Sequence, residues 1–147
     1  MGIAQNRAKN IGAAHGAWGE DVAAEFLHAM KYRILDRNVR PSDRDLRLEI
    51  DIVAQDPDDG AVVFVEVKQH AQAKGEAEDP IRGVDRKKRS NMRLACQAWL
   101  WKNKWDGACR FDVIEIYGTP ECSAKPEIHH IQNVNIFMRE ERFAAWV

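Results

Sequence analysis

Residues 48–69, LEIDIVAQDPDDGAVVFVEVKQ, constrain the fold of this chain more than any other segment. Two apolar runs flank the turn sequence DPDDG, in which proline restricts one backbone dihedral angle and Gly60 can adopt a positive φ. Two strands joined by so short a turn are expected to pair as an antiparallel hairpin. The hairpin also carries four charged residues on these otherwise apolar strands: Glu49, Asp51, Glu66 and Lys68.

The alternation of side chains along a strand decides which of these charges can meet. The two acids of the first strand share one face, as do the acid and the lysine of the second strand. If Ala54 pairs with Val63, Asp51 lies directly across from Glu66, and the remaining acid lies across from the lysine. A shift of one residue would instead place the two sets on opposite faces of the sheet.

In the register that brings Asp51 and Glu66 together, their Cβ atoms would be about 5 Å apart, so the two carboxylates would repel each other. A divalent cation between them removes that repulsion, and hard oxygen ligands favour Mg²⁺ or Mn²⁺ over zinc. Lys68 would reach the same place, where an ammonium group can orient an attacking water or stabilise a phosphate. This arrangement suits the hydrolysis of phosphodiester bonds.

A simpler interpretation uses the same residues. Glu49 and Lys68 could form a cross-strand ion pair on a solvated face, with Asp51 and Glu66 exposed to water. The spacing of the charges along the chain is compatible with both interpretations.

The remaining chain predicts one mixed α/β domain. The polar residues 1–12 show no sustained period and are expected to form a flexible N-terminal arm, leaving residues 13–147 as a single domain. Apolar residues at helical spacing predict a helix from Trp18 to about Met30 and a second from Asp85, its N-cap, to about Lys104. Strands are predicted in five segments: 32–40, 48–56, 62–68, 110–118 and, more weakly, 127–137. The order α-β-β-β-α-β-β predicts a mixed β-sheet flanked by helices.

The composition indicates where in the cell the protein is expected and which classes of partner it is expected to bind. The chain has 147 residues, 45% of them hydrophobic, and no segment approaches the ~20 apolar residues of a membrane span. We therefore expect a soluble cytoplasmic protein with no membrane partner. Three cysteines without close spacing suggest buried free thiols. Because the net charge is only -1, any nucleic acid binding must depend on local clusters of charge.

Several segments together resemble a known family. Asp51 followed by Glu66-x-Lys68 is similar to the D…(D/E)-x-K core of restriction-endonuclease-like nucleases. Five segments, in the order found in the family, resemble the YraN-type family of small bacterial proteins: GAWGEDVAAEFL, YRILDRNVR, LEIDIVAQD, VVFVEVK and RFDVIEI. The resemblance covers most of residues 16–117. It implies a restriction-endonuclease-like fold similar to that of archaeal Holliday junction resolvases.

The resemblance also implies an activity and a set of site residues. Members of the family are predicted to be endonucleases. The resemblance therefore implies that this protein is an Mg²⁺-dependent enzyme that acts on DNA, including branched DNA. Asp51, Glu66 and Lys68 would be catalytic. A glutamate on the first helix helps to bind metal in resolvase-like relatives, so Glu20 joins the metal site, with Glu49 as a further candidate. Resolvase-like proteins often pair, so a homodimer is compatible with the resemblance, although the sequence shows no interface pattern.

Two positions depart from the family pattern. Leu48 stands where the family usually has glycine before its E-I-D triplet. His70 stands where the family usually has an arginine two residues after the lysine. His70 can replace the phosphate contact of that arginine only when its ring is protonated.

Basic residues cluster where the second helix is predicted to start, and they are candidates for binding nucleic acid: Arg82, Arg86, Lys87, Lys88, Arg89 and Arg93. Cations at a helix N-terminus oppose the helix dipole, so helix stability does not explain their position, whereas a phosphate backbone would. A second basic strip, diluted by aspartates, includes Arg33, Arg37, Arg40, Arg44 and Arg47. A solvated charged surface would explain either cluster equally simply.

Other residues have weaker functional interpretations. Adjacent residues on a strand face opposite ways, so His129 and His130 are not expected to share one metal ion. Asp112 could support the site or could be a buried acid paired with Arg110 or a backbone donor. Tryptophans are usually core residues, and Trp101 is the one whose exposure would matter for stacking against bases. The leading hypothesis is a DNA endonuclease; the alternatives are a catalytically inactive DNA-binding module of the same fold and a protein-interaction domain.

Overall fold

The computed structural model describes residues 2–43, 48–72 and 86–136, with side chains described from residue 10 onward and not for residue 86. Within these ranges the chain forms two helices and five strands. In chain order these are α1 (Gly2–Ala29), β1 (Arg33–Val39), β2 (Ile50–Gln55), β3 (Val62–His70), α2 (Arg86–Lys102), β4 (Cys109–Tyr117) and β5 (Glu127–Ile131). The predicted order α-β-β-β-α-β-β and the mixed α/β class are confirmed.

The five strands form one sheet in the order β1-β2-β3-β4-β5. All neighbouring strands are antiparallel except β3 and β4, which run parallel. A parallel pair needs a crossover connection, and α2 lies in the chain between these two strands. The start of β3 is buried on both faces, as its continuous apolar run predicted.

Each face of the sheet packs against one helix. Ala23 and Leu27 of α1 belong to a buried cluster with Val63 and Val65. On the other face, Trp99 of α2 contacts Phe64 edge to face, with ring centroids 5.7 Å apart. Because consecutive β3 residues point to opposite faces, one strand supplies the core beneath both helices.

The structure corrects one expectation about the N-terminal segment. Residues 2–12 are part of α1, which begins at Gly2, whereas we expected a flexible arm up to residue 12. The segment lacks an apolar stripe but contains alanine, glutamine, arginine and lysine, which favour helix without any tertiary contact. Absence of amphipathic periodicity therefore did not mean absence of a helix.

Two further observations bear on the sequence expectations. No helix within the described ranges is long and apolar enough to cross a membrane. The predicted N-cap Asp85, most of the loop before it, and the C-terminal segment after residue 136 lie outside the described residues. Predictions about those segments stay predictions.

Candidate active site

The register of the β2–β3 hairpin brings the two central acids together. Ala54 pairs with Val63, and the ladder continues to Ile52 opposite Val65. The next residue on each strand is Asp51 and Glu66, so these two face each other across the hairpin. This is the register in which we expected the acids to meet.

The two strands separate at this point. β2 stays paired with β1 as far as Ile50, while β3 stays paired with β4 as far as His70. The backbone ladder between β2 and β3 ends at Ile52, so both strands splay apart beyond it. In the gap, the Asp51 carboxyl oxygen Oδ2 accepts a hydrogen bond from the backbone N–H of Val67 at 2.8 Å. The Asp51 side chain thus takes the place of a backbone partner for the Val67 N–H, and this hydrogen bond holds the carboxyl group in the opening.

The pKa values of Asp51 and Glu66 reflect the burial of the two acids and their closeness to each other. Burial, followed by the negative charge of Glu66, raises the pKa of Asp51 to about 7. Burial also raises the pKa of Glu66, and the two side chains share a hydrogen bond. Two carboxyl groups this close ionise together only at a cost, so they bind a proton, or another cation, more readily than isolated acids do.

Lysines from two different elements oppose the charge of this pair. Lys88 on the first turn of α2 lowers the pKa of Glu66 more strongly than Lys68 of β3 does, although burial still dominates. Lys88 and Asn91 line the cleft above the acids, which has a volume of about 180 Å³. The sequence had assigned Lys88 only to a basic surface and had not singled out Asn91. Only the packing of α2 on the sheet brings them to the acids.

Glu20 approaches the acids from α1. Burial is the main cause of its raised pKa, with a further contribution from the charge of Asp51. Asn38 of β1, which has a positive φ of 48°, forms a side-chain hydrogen bond with Glu20. The preceding residue, Gly19, is buried against β3. Glu20 is therefore near the acids, as the resemblance implied, and Asn38 is a neighbour that the sequence did not indicate.

Glu49 lines the same cleft but forms an ion pair away from the hairpin. Its Oε2 atom lies 3.5 Å from Nη2 of Arg40. The simpler interpretation of the sequence required exposed Asp51 and Glu66, and both are half-buried instead. Arg40, which pairs with Glu49, is a residue that the sequence had assigned to nucleic acid binding.

The described residues contain no group of three or more histidine, cysteine, aspartate or glutamate side chains arranged to hold a metal ion. Asp51 and Glu66 form a pair, and the charges of Glu20 and Glu49 lie near enough to affect it. Metal binding by these four residues stays a prediction.

The predicted basic cluster is only partly on the surface. Lys87 and Lys88 are exposed and Arg89 is half-buried. Arg93 is only 7% exposed, and its Nη2 donates to Ser90 Oγ at 3.3 Å. Arg93 therefore does not lie where it can meet a phosphate backbone, because the turn of the helix carries it away from the exposed lysines. Arg82 and the Arg86 side chain lie outside the described residues.

His70 lies on the same face of β3 as Glu66 and Lys68, but it contacts β4. Its ring stacks on Tyr117 with centroids 4.7 Å apart, and its Nε2 atom is 3.8 Å from Oε1 of Glu115. Glu115 is nearly buried and accepts a hydrogen bond from the Tyr117 hydroxyl at 3.1 Å. The ring is thus oriented by β4, and its predicted phosphate contact stays a prediction.

Asp112 pairs with Val65 and belongs to a separate polar network on the face of the sheet opposite Glu66. Arg110 Nε donates to Asp112 Oδ1 at 3.0 Å, and the Asn133 backbone N–H donates to the same oxygen at 2.9 Å. His130 contacts Asp112 Oδ2 at 2.8 Å, whereas His129 contacts Glu127. Asp112 is therefore the buried, paired acid of the two alternatives, and the two histidines are separated as expected.

Comparison with known proteins gives one consistent family. The sequence profile of the uncharacterised protein family UPF0102 matches residues 19–116. A UPF0102 protein of Oleidesulfovibrio alaskensis is 43% identical over 102 residues, which is 69% of this chain but only 46% of that relative. A UPF0102 protein of Geobacter metallireducens is 38% identical over 119 residues, covering 80% of this chain and 88% of the relative.

Among solved structures, Pyrococcus furiosus SfsA in complex with Ca²⁺ is similar at a TM-score of 0.32 and 16% identity. The match covers 79% of this chain and 61% of that one. A similarity this weak carries no functional information.

Proposed function

Since the chain belongs to the uncharacterised family UPF0102, the YraN-type family, we propose that it is a metal-dependent endonuclease that hydrolyses phosphodiester bonds in DNA. The observation that carries the proposal is the pairing of Asp51 and Glu66 at the opening between β2 and β3. A DNA substrate, which can include branched DNA, implies a cytoplasmic location.

The chemistry of the acid pair fits a hard divalent cation. Mg²⁺ is usually bound by one or two carboxylates, with waters and substrate phosphates completing its shell. Asp51 and Glu66 supply two such carboxylates. Burial is the main cause of the raised pKa of each acid, and the negative charge of Glu66 raises the pKa of Asp51 further, a repulsion that a cation would relieve. Bound there, Mg²⁺ or Mn²⁺ would supply Lewis acidity and an activated water. Glu20 and Glu49 are near enough to influence the charge of the site or to bind waters of the cation.

The lysines supply positive charge where a phosphate would lie. Lys68, two residues from Glu66 on the same face of β3, is suited to orient the attacking water or stabilise the phosphate in the transition state. Lys88 approaches Glu66 from α2 and lines the cleft, so it is suited to contact the scissile or adjacent phosphate. A lysine contacts phosphate as a point charge without demanding one geometry. Arg40, although paired with Glu49, is a further candidate at the edge.

DNA would approach over the first turn of α2. Lys87 and Lys88 are exposed there, and Arg89 is half-buried. Backbone contacts of this kind position DNA without reading its sequence. Their position beside the acid cleft supports binding and cleavage at one place on the protein.

Metal-dependent cleavage of linear, flapped and four-way DNA tests the proposal. We expect the wild-type protein to cut at least one of these substrates in Mg²⁺ or Mn²⁺ and none of them in EDTA. Asp51→Ala and Glu66→Gln should abolish cutting while leaving DNA affinity within a few-fold of wild type. Asp58→Ala, which removes an exposed acid from the opposite end of the same hairpin, is the matched control and should retain activity.

The same experiment separates the proposal from its alternative. Binding without cleavage in both metals would identify a catalytically inactive DNA-binding module. Neither binding nor cleavage would leave a protein-interaction domain. Unchanged DNA affinity after neutralisation of Lys87 and Lys88 would contradict the proposed approach of DNA over the first turn of α2.

A further inference from the structure

Trp101 stands out on the surface of α2. Its side chain is 86% exposed, the largest exposure among the exposed large hydrophobic residues of the described chain. It borders two clefts of about 720 and 460 Å³. The proposed cleavage chemistry makes no use of this residue.

One of these clefts lies on the same flank of α2 as the acid cleft. The acid cleft is bounded by Asn91 of α2 and by Glu49, at the end of the connection from β1 to β2. The cleft beside Trp101 is bounded by Ala98 of α2 and by residues 41–43, at the start of that connection. Asn91 and Ala98 are two helical turns apart and so lie on one side of the helix. Both clefts thus lie between α2 and the ends of the same connection.

The distance along this flank suits a short run of nucleotides. From Asn91 to Trp101 the helix rises about 15 Å, at ~1.5 Å per residue. A DNA strand advances ~3.4 Å per nucleotide, so four or five nucleotides would cover about that length. A strand held at the acid cleft could therefore reach the indole ring.

Two lysines beside Trp101 are suited to contact the phosphates of a nucleic acid strand, and two aspartates line the same clefts. Lys102 and Lys104 are exposed and line the larger cleft with Asp106, and Lys102 also lines the smaller one with Asp43. Lys88 lies at the other end of the flank. An exposed indole between lysines combines a stacking surface for a base with cations for the adjoining phosphates, as in proteins that bind single strands.

We propose that Trp101 stacks on an unpaired base of a DNA strand that runs along α2 from the acid cleft. This inference rests on the proposed function for the course of the strand, and it names the substrate class as DNA with a single-stranded segment. A fully paired duplex offers no free base to the indole and would gain little from it.

Fluorescence anisotropy in EDTA tests the inference without any cleavage. The probes are a labelled single strand of about 16 nucleotides of mixed sequence and the blunt duplex of the same length. We expect Trp101→Ala to weaken binding of the single strand about tenfold and binding of the duplex less than about twofold. Trp101→Phe, which retains an aromatic face, should recover most of the affinity. Met30→Ala removes another exposed apolar side chain, just after the end of α1, and should leave both affinities unchanged.

Each other outcome contradicts the inference. Equal loss for both probes, or no loss for either, would mean that Trp101 does not stack on a base. A change in sedimentation mass with unchanged DNA affinity would make this surface an interface between copies of the chain. Because binding is measured without metal, failure of the cleavage assay and failure of this one are separate results.

Discussion

Gly19 of α1 lies directly against Gln69 of β3. A Cβ atom added to Gly19 would be 3.0 Å from the Cβ of Gln69 and 3.3 Å from its Cγ. Contacts this close are tighter than nine in ten real Cβ contacts, so a side chain at residue 19 would require Gln69 or the helix to shift by a few tenths of an ångström. This contact lies one residue before Glu20 and three residues after Glu66. The approach of Glu20 to the acid pair therefore depends on a glycine.

Replacing Gly19 by valine should move α1 away from β3. We expect Gly19→Val to lower the free energy of unfolding by about 1–3 kcal/mol, a typical cost of overpacking, as measured by urea denaturation. If Glu20 contributes to the site, metal-dependent cleavage should fall as well. Gly16→Val is the matched control, since a Cβ atom at Gly16 would meet nothing within 4 Å. Equal destabilisation by both variants would show that helix propensity, and not the contact with β3, causes the effect.

Asp51→Asn should stabilise the protein at neutral to alkaline pH. The pKa of Asp51 is raised to about 7 by burial and by Glu66, above the ~3.9 of an unfolded chain. The folded state therefore holds the proton more tightly than the unfolded state. The stabilisation of the folded state by this bound proton is complete below pH ~4 and is lost as the pH rises through 7. Asparagine carries no charge to bury, so we expect a gain of about 1–2 kcal/mol at pH 8.

Urea denaturation of the wild type and Asp51→Asn at pH 4 and pH 8 measures this difference. The gain should disappear at pH 4, where Asp51 is protonated in the folded protein. The amide oxygen of asparagine can still accept the hydrogen bond of the Val67 backbone N–H, so the backbone contact is conserved. A gain of the same size at both pH values, or a loss at pH 8, would contradict the raised pKa.

Lys88→Ala and Lys87→Ala should differ sharply despite being adjacent. Lys88 lines the acid cleft and acts on Glu66, whereas Lys87 does not line it. If Lys88 contacts the phosphate at the cleavage site, its removal should lower kcat/KM at least about tenfold, or ~1.4 kcal/mol of transition-state stabilisation. Removal of Lys87 should weaken DNA binding slightly. Steady-state cleavage rates with the best DNA substrate measure the contrast, and equal effects of the two variants would place Lys88 in general surface binding.

Asp112→Asn should destabilise the fold without touching the acid cleft. Burial alone would raise the pKa of Asp112, but hydrogen bonds from His130, Arg110 and the Asn133 backbone outweigh it and lower that pKa. The stability that this acid contributes is therefore present above its unfolded pKa and is lost as pH falls. Loss of its charge beside the half-buried Arg110, which keeps its ion pair with Asp56, should cost about 1–3 kcal/mol at pH 7.

Chemical denaturation at pH 7 checks the effect of Asp112→Asn. Glu121→Gln, which breaks an exposed contact with His15, is the control and should leave the midpoint unchanged. Cleavage activity per folded molecule should be conserved in both variants. A loss of activity in well-folded Asp112→Asn protein would instead favour the other sequence interpretation, in which this acid supports the site.

Several features of the fold and the site could be read from local patterns. The turn sequence and the alternation of apolar residues predicted the hairpin but left two registers open. The structure shows the register in which Ala54 pairs with Val63 and Asp51 meets Glu66. Helix and strand order followed from periodicity of 3.6 and 2 residues. The residue at which α1 begins did not follow from periodicity, because residues 2–12 are helical without an apolar stripe.

What the sequence determined by itself is the pattern that local geometry dictates: the hairpin, the alternation of side chains along each strand, and the order of the elements. The structure decided between the two possible registers of the hairpin. Only the tertiary structure decided which distant side chains reach the acids, including Lys88 and Asn91 from α2 and Asn38 beside Glu20. It also decided that Arg93 is buried and Trp101 exposed on one helix. The physical reason is that periodicity specifies a face of each element, whereas the approach and rotation of one element on another depend on close packing between residues far apart in the chain.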